Sequence, residues 1–308
     1  MYNTSTEQDR SLKQGASIFL FDATGTQWEI ETLGPLGRQL QQRILRRIEA
    51  FDTTYSRFRP DSLVSQVADS EGGCFDFPDD SLALFDLYDR LHTVTAGALD
   101  PLVGQDLEFL GYDRTYSLMP VSDLIRAEAD AWRRASWSKD VLRDGTSIVT
   151  WHPLVIDVGA VGKGYLVDIV SEILREAGFT QFVVDGSGDM RHSGESILRV
   201  GLEHPFDPRL AIGVANLQNC ALCASAVNKR AWGDGLHHVL DARTGVPVQD
   251  VVATWVVADD AAIADGLATA LFFTRAEHLA EVFRFSYVRM FADGRAEISQ
   301  NFDGEIFS

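Results

Sequence analysis

Cysteine is scarce in this chain: Cys74, Cys220 and Cys223 are the three among 308 residues. An odd count without a framework spacing argues against a disulfide scaffold, and the isolated C-x-x-C of Cys220 and Cys223 has no second pair or neighbouring histidine to complete a zinc or redox site. Basic charge is also short. Lys and Arg number 27 against 45 Asp and Glu, a formal net charge of −18. Such a surface repels phosphate backbones and anionic lipid, which argues against nucleic acid as a partner. The densest basic run, Arg43 to Arg47, falls within a helical pattern and reads as a solvated helix face. No apolar run approaches the ~18 residues of a membrane span. The opening MYNTSTEQDRSLKQG is polar and lacks the apolar stretch of an export signal, so a cytoplasmic location is expected. Internal repeats and Pro-, Gly- and Ser-rich linkers are missing too. The expected organisation is therefore a flexible tail over residues 1–15 followed by a single folded unit over 16–308.

What is present fits an ordinary globular protein. Hydrophobic residues make up 45% and charged residues 23% of the chain, which excludes disorder or a coiled coil as a description of the whole. SIFLFDATGTQWEIETLG reads as two strands around a Gly25-Thr26 turn, and Leu36, Leu40, Ile44, Ile48 and Phe51 then recur at helical spacing. Asp79, Asp80 and Ser81 offer cap oxygens to a second helix with Leu84, Phe85, Tyr88 and Leu91 inward. VSDLIRAEADAWRRA predicts a third. PLVIDVGAVGKGYLVDIVSEILREAGFTQFVVDGSGD predicts a strand to Val158, a glycine turn, a helix stopped at Gly178 and a strand to Val184. Runs of strands follow, HHVLDA among them, then helices from about Ala261 to Phe273 and from Ala276 to Phe285. Strands in runs interrupted by helices indicate an α+β fold with mixed or antiparallel sheets and packed helices.

Three features could carry chemistry. Gly159, Gly162 and Gly164 between strand and helix let a backbone approach a ligand, with Lys163 as a point charge; tight packing alone explains the same glycines. A second glycine loop, Asp185 to Asp189, suggests one concave site for a phosphate compound. On AAIADGLATALFF, Asp265 and Thr269 stand four residues apart on one helix face, a partial oxygen shell for Mg²⁺, or else a polar rim. An apolar setting makes Asp265 an expensive carboxylate that a cation would relieve. His237 and His238 precede a strand ending at Asp241, and either is a candidate base. Ser225 lacks the G-x-S-x-G elbow of a nucleophile and reads as a binding hydroxyl.

Together the motifs resemble the FAD:protein FMN transferase family, ApbE. The likeness runs in order through ATGTQWEIE, YSRFRPDS, TAGALDPLVG, IDVGAVGKGYLVD, VDGSGD, CASAVNKR, HHVLDARTG and ADGLATAL. It implies an ApbE-like, T-fold-like architecture and an enzyme that cleaves the FAD pyrophosphate with Mg²⁺. FMN passes through a phosphoester to a Thr or Ser of an acceptor flavoprotein, and AMP is released. Some members hydrolyse FAD to FMN and AMP instead; a non-catalytic flavin-binding carrier is the alternative of another class. By motif, the metal falls to the Ala160 carbonyl, Asp265 and Thr269. Flavin or nucleotide contacts fall to Thr24, Phe58, Ala98, Leu99, Asp100, Asp157, Lys163, Gly188, Asp189, Ser225 and Val239. His238 becomes the residue that assists the acceptor hydroxyl, with Asp189 a weaker choice. The chain departs from the family pattern where methionine is common at Thr24 and tyrosine at Phe58. It departs again at Ala224-Ser225-Ala226 in place of T-S-G, at Ala242 in place of proline, and at Asp185 to Asp189 in place of N-L-G-G-D.

Overall fold

The computed structural model describes residues 15–122 and 134–307. The expected tail and most of the third helix lie outside the described residues. In chain order the elements are β1 (Ala16–Ala23), β2 (Thr26–Leu33), α1 (Arg38–Tyr55), α2 (Leu63–Ala68), β3 (Gly73–Asp76), α3 (Ser81–Val94) and α4 (Gly104–Phe109). The central part holds α5 (Trp137–Asp140), β4 (Leu142–Asp144), β5 (Ser147–Thr150), α6 (Gly162–Glu176), β6 (Phe182–Asp185) and β7 (Asp189–Ser193). Next come β8 (Leu198–His204), β9 (Asp207–Leu217) and β10 (Ala221–Ala226), then the two-residue strands β11 (Ala231–Trp232), β12 (Leu236–His237), β13 (Leu240–Asp241) and β14 (Val246–Pro247). The chain closes with β15 (Val251–Ala258), α7 (Ala261–Ala270), α8 (Ala276–Ala280), β16 (Ser286–Phe291), β17 (Ala296–Ile298) and β18 (Gly304–Ile306).

An eight-stranded sheet in the order β1-β2-β6-β7-β10-β15-β16-β17 forms the centre, and each of its pairings is antiparallel. The α+β expectation holds, with the antiparallel option realised. Alternation along the strands divides the core in two. Trp28, Ile30, Phe182, Val184, Cys223 and Val256 pack with the helices in one cluster, and Val183, Met190, Leu222 and Trp255 pack with residues of β8 and β9 in a second. Cys223 and Cys220 follow the same division, one in each cluster, and both are free thiols.

Three local expectations are corrected. Leu154 to Val158 pairs in no strand. Its alternating burial is real, with Leu154, Ile156 and Val158 inside, but its Asp157 amide goes to the Pro101 carbonyl at 2.7 Å rather than to a sheet. HHVLDA is two short strands broken at His238, not one. At the start of α3 no side chain caps the helix: Asp80 pairs with Arg47 and Ser81 with Tyr55.

Asp168 performs the capping that matters for the site. From α6 its two carboxylate oxygens accept the Ala261 and Ala262 amides of α7 at 3.0 and 2.8 Å, satisfying donors of the first turn that otherwise have no partner. Gly164 brings the same helices together. A β-carbon there would lie 2.2 Å from the Ala261 carbonyl oxygen and 2.7 Å from Cβ of Asp265. Gly164 is thus a packing glycine at a helix crossing, the plain alternative to a phosphate loop. Gly164→Ala is expected to cost about 1–3 kcal/mol by overpacking; an unchanged urea midpoint would show that the helices do not meet this closely.

Candidate active site

A cavity of about 510 Å³ opens between the start of α6, the β6–β7 turn, α7, the end of β10 and the His238 to Leu240 segment. Its lining includes Ala98, Leu99, Asp100, Asp157, Ala160, Lys163, Gly188, Asp189, Ser225, His238, Val239, Asp265 and Thr269. These residues come from six of the quoted sequence segments, and folding gathers them at one place.

In this cavity two carboxylates and one ammonium interact. Asp189 and Asp265 are only 1% and 6% exposed. Lys163 Nζ lies 2.8 Å from Asp189 Oδ2 and donates to the Ser187 carbonyl at 3.3 Å. Asp265 Oδ2 accepts the Gly164 amide at 2.9 Å. Burial first, and then the charge of Asp189, push the Asp265 carboxyl well above the usual carboxylate range, against the pull of Lys163, the Gly164 amide and Arg230. Burial disfavours the Lys163 ammonium, yet Asp189 and Asp265 outweigh it and hold its pKa above the ordinary value. Asp189 Oδ1 is buried with no hydrogen-bond partner. A buried acceptor without a donor and a carboxylate held uneasily near it fit a hard cation, and the oxygens of Ala160, Asp265 and Thr269 are the donor class that magnesium takes. Among the described residues no group of three or more His, Cys, Asp or Glu side chains is arranged to hold a metal, so a site here draws on a backbone carbonyl and a hydroxyl.

His238 lines the same cavity. Its backbone amide donates to the Arg230 carbonyl at 3.2 Å, while its Nδ1 is buried without a partner. Burial, followed by the positive charge of Arg230, pulls its pKa down to about 3, so the ring is neutral at physiological pH and can accept a proton. His237 is committed elsewhere, with Nε2 2.8 Å from the Val248 carbonyl oxygen. A depressed folded-state pKa means that the unfolded chain binds the proton first. His238 thus contributes stability in full above pH ~6.5, and this contribution fades as pH falls toward 3. Between pH 7 and 5 the loss of stability is expected to be shallower in His238→Gln than in wild type, as read from urea midpoints; equal slopes would contradict the neutral, half-buried ring.

Asp157 and Asp100 serve the walls. Arg57 Nε donates to Asp157 at 2.6 Å, and the Gly159 amide donates to its other oxygen at 2.7 Å. Burial opposes the Asp157 charge, but Arg57 prevails and holds the carboxyl below its usual pKa. Asp100 accepts the amides of Leu102 and Trp137 at 2.8 and 2.9 Å. Gly188, at φ +101°, turns its amide onto Asp185 at 2.8 Å.

Two residues expected at the flavin stand outside the lining. Thr24 is tied into its own turn, donating to the Ala23 carbonyl and accepting from Trp28 Nε1 at 3.2 Å; Thr26, two positions on, lines the cavity instead. Phe58 stacks on Tyr116 at 4.7 Å and meets Tyr112 edge-on at 5.4 Å. Tyr112 lines the cavity, as do Trp255 and Phe273, and Tyr112 is braced by Trp232 at 5.5 Å. Sequence reasoning also missed Arg57, Arg230 and Lys229. Arg57 and the other two stand inside the quoted YSRFRPDS and CASAVNKR segments, but no local spacing marks them.

The fold is that of solved flavin transferases. The structure titled flavin transferase ApbE from Vibrio cholerae superposes with a TM-score of 0.79 at 23% identity, over 92% of this chain and 97% of that one. The apbe protein of Thermotoga maritima gives 0.81 at 24% identity over the same shares. The chain belongs to the ApbE family, whose profile matches residues 24–290. Among curated relatives, the FAD:protein FMN transferase of Vibrio cholerae serotype O1 is 27% identical over 266 residues, 80% of this chain and 78% of that protein. The protein of the same name from Haemophilus influenzae is 28% identical over 197 residues, 59% of this chain and 57% of its own length.

Proposed function

We propose that this chain is a magnesium-dependent FAD:protein FMN transferase, which joins FMN through a phosphoester to a Thr or Ser hydroxyl of an acceptor flavoprotein and releases AMP. The relatives that bear this name support the reading. The observation that carries it is the meeting of Ala160, Lys163, Asp189, His238, Asp265 and Thr269 in one cavity. A magnesium ion held by the Ala160 carbonyl, Asp265 and Thr269 would supply Lewis-acid neutralisation of pyrophosphate charge. Lys163, steadied by Asp189, orients phosphate oxygens; Ser225 and the turn at Gly188 offer hydrogen bonds to the nucleotide. Leu99, Val239 and Tyr112 form apolar walls that exclude water from the reacting groups. His238, neutral before substrate binds, takes the proton of the attacking hydroxyl. Among the described residues no helix is long and apolar enough to cross a membrane.

The test incubates the protein with FAD and magnesium, with and without extract of the native cell. In-gel flavin fluorescence on a second polypeptide, with AMP released, is the expected result. Free FMN in equal amounts in both tubes would make the enzyme an FAD diphosphatase, and FAD bound without any AMP would make it a carrier.

A further inference from the structure

Three cations line the cavity: Lys163, Lys229 and Arg230. Two already have carboxylate partners, Lys163 with Asp189 at 2.8 Å and Lys229 with Glu203 at 2.7 Å. Arg230 has no ion pair among the described residues, although the chain carries a net charge of −18. Its guanidinium stands 5.9 Å from the Tyr112 ring centroid, at the outer limit of a cation–π contact, which uses none of its N–H donors. Through its carbonyl it fixes the backbone amide of His238 at 3.2 Å, and its charge reaches His238, Asp157 and Asp265. An uncompensated guanidinium in an acidic protein, facing a cavity and adjoining the candidate base, is a receptor for an anion.

We propose that Arg230 is a catalytic residue of this reaction, gripping the non-bridging oxygens of the phosphoryl group as it passes from the pyrophosphate to the acceptor hydroxyl. The inference rests on the flavin-transfer reading of the site. In the step, the acceptor oxygen forms a new bond to the FMN phosphorus. The bond from that phosphorus to the bridging oxygen breaks, its electron pair leaving with AMP, and the hydroxyl proton passes to His238. Negative charge gathers on the oxygens around phosphorus as this happens, and a planar, permanently charged fork matches two of them at once. Lys163 is shared with Asp189 and Asp265, so Arg230 is the cation free to respond to that charge. Its closeness to His238 puts it beside the attack rather than at a remote part of the nucleotide.

Arg230→Gln and Arg230→Lys are compared with wild type for AMP release from FAD with magnesium and a purified acceptor that wild type flavinylates. The exposed position makes folding of both variants expected, and thermal unfolding checks it. Arg230→Gln is expected to lose about 10²–10³-fold in kcat, the scale of removing one preorganised donor to a developing anion, while KM for FAD moves only a few-fold. Arg230→Lys is expected to fall between, keeping the charge and losing the fork. A kcat within three-fold of wild type in Arg230→Gln overturns the proposal. So does a defect cured by raising the acceptor concentration, which would make Arg230 a docking residue for the partner. A wild-type protein that releases no AMP defeats the flavin-transfer reading itself, a result distinct from failure of the Arg230 variant alone.

Discussion

Asp265→Ala is expected to abolish magnesium-dependent AMP release and leave the fold intact. The loss should reach at least about 10³-fold, because a cation that offsets pyrophosphate charge is worth several kcal/mol and each tenfold is about 1.4 kcal/mol. Stability should respond differently. The Asp265 carboxyl is pushed well above its usual pKa by burial and by Asp189, so in metal-free protein it is a strained group whose removal relieves repulsion. What the variant forfeits is the hydrogen bond from the Gly164 amide, worth about 1 kcal/mol. Urea unfolding in a chelating buffer should therefore differ from wild type by no more than about that amount. A variant that retained normal turnover would remove Asp265 from the metal; one that unfolded would make it a structural residue of the α6–α7 crossing.

His238→Ala is expected to bind FAD within a few-fold of wild type and to lose transfer by about 10²–10⁴-fold, the range of a positioned general base. The ring is neutral across physiological pH, since its pKa is drawn down to about 3 by burial and by Arg230. A phosphate anion entering the cavity would raise that value and strengthen the base when it is needed. His237 cannot replace it, because the Val248 carbonyl holds its ring. Equilibrium dialysis with FAD and a flavin-fluorescence transfer assay separate the two effects. A transfer rate within a few-fold of wild type would take His238 out of the base role.

Much of the fold was legible because it is written in local periodicity. The helical repeat of Ile44, Ile48 and Phe51 gives α1, and Leu166, Val170, Ile173 and Leu174 give α6 up to the left-handed Gly178. The strand expected through Val158 was misread for a physical reason: alternation reports which side chains are buried, not whether a neighbouring strand accepts the backbone. Leu154, Ile156 and Val158 bury themselves without a ladder. HHVLDA failed as one strand because the chain must leave the sheet pairing at His238, which lines the cavity.

The site divides along similar lines. Asp265 and Thr269 could be paired from helical spacing alone, and the glycines flanking Lys163 marked a close backbone approach. Arg57 could not be found this way, since its partner Asp157 lies 100 residues along the chain. Thr24 and Phe58 were placed by motif likeness, which carries no information on whether a side chain turns outward or is tied into its own turn. Tyr112 and Thr26 at the wall needed the three-dimensional arrangement.

The central claim is that one divalent cation binds between Ala160, Asp265 and Thr269 beside the FAD pyrophosphate. Crystals grown with FAD and Mn²⁺, a magnesium substitute visible by anomalous scattering, test it most directly. The account predicts a single strong anomalous peak within ligand distance of the Asp265 carboxylate, the Thr269 hydroxyl and the Ala160 carbonyl, lost in Asp265→Ala. Well-ordered FAD in the cavity with no peak at those three oxygens would contradict it.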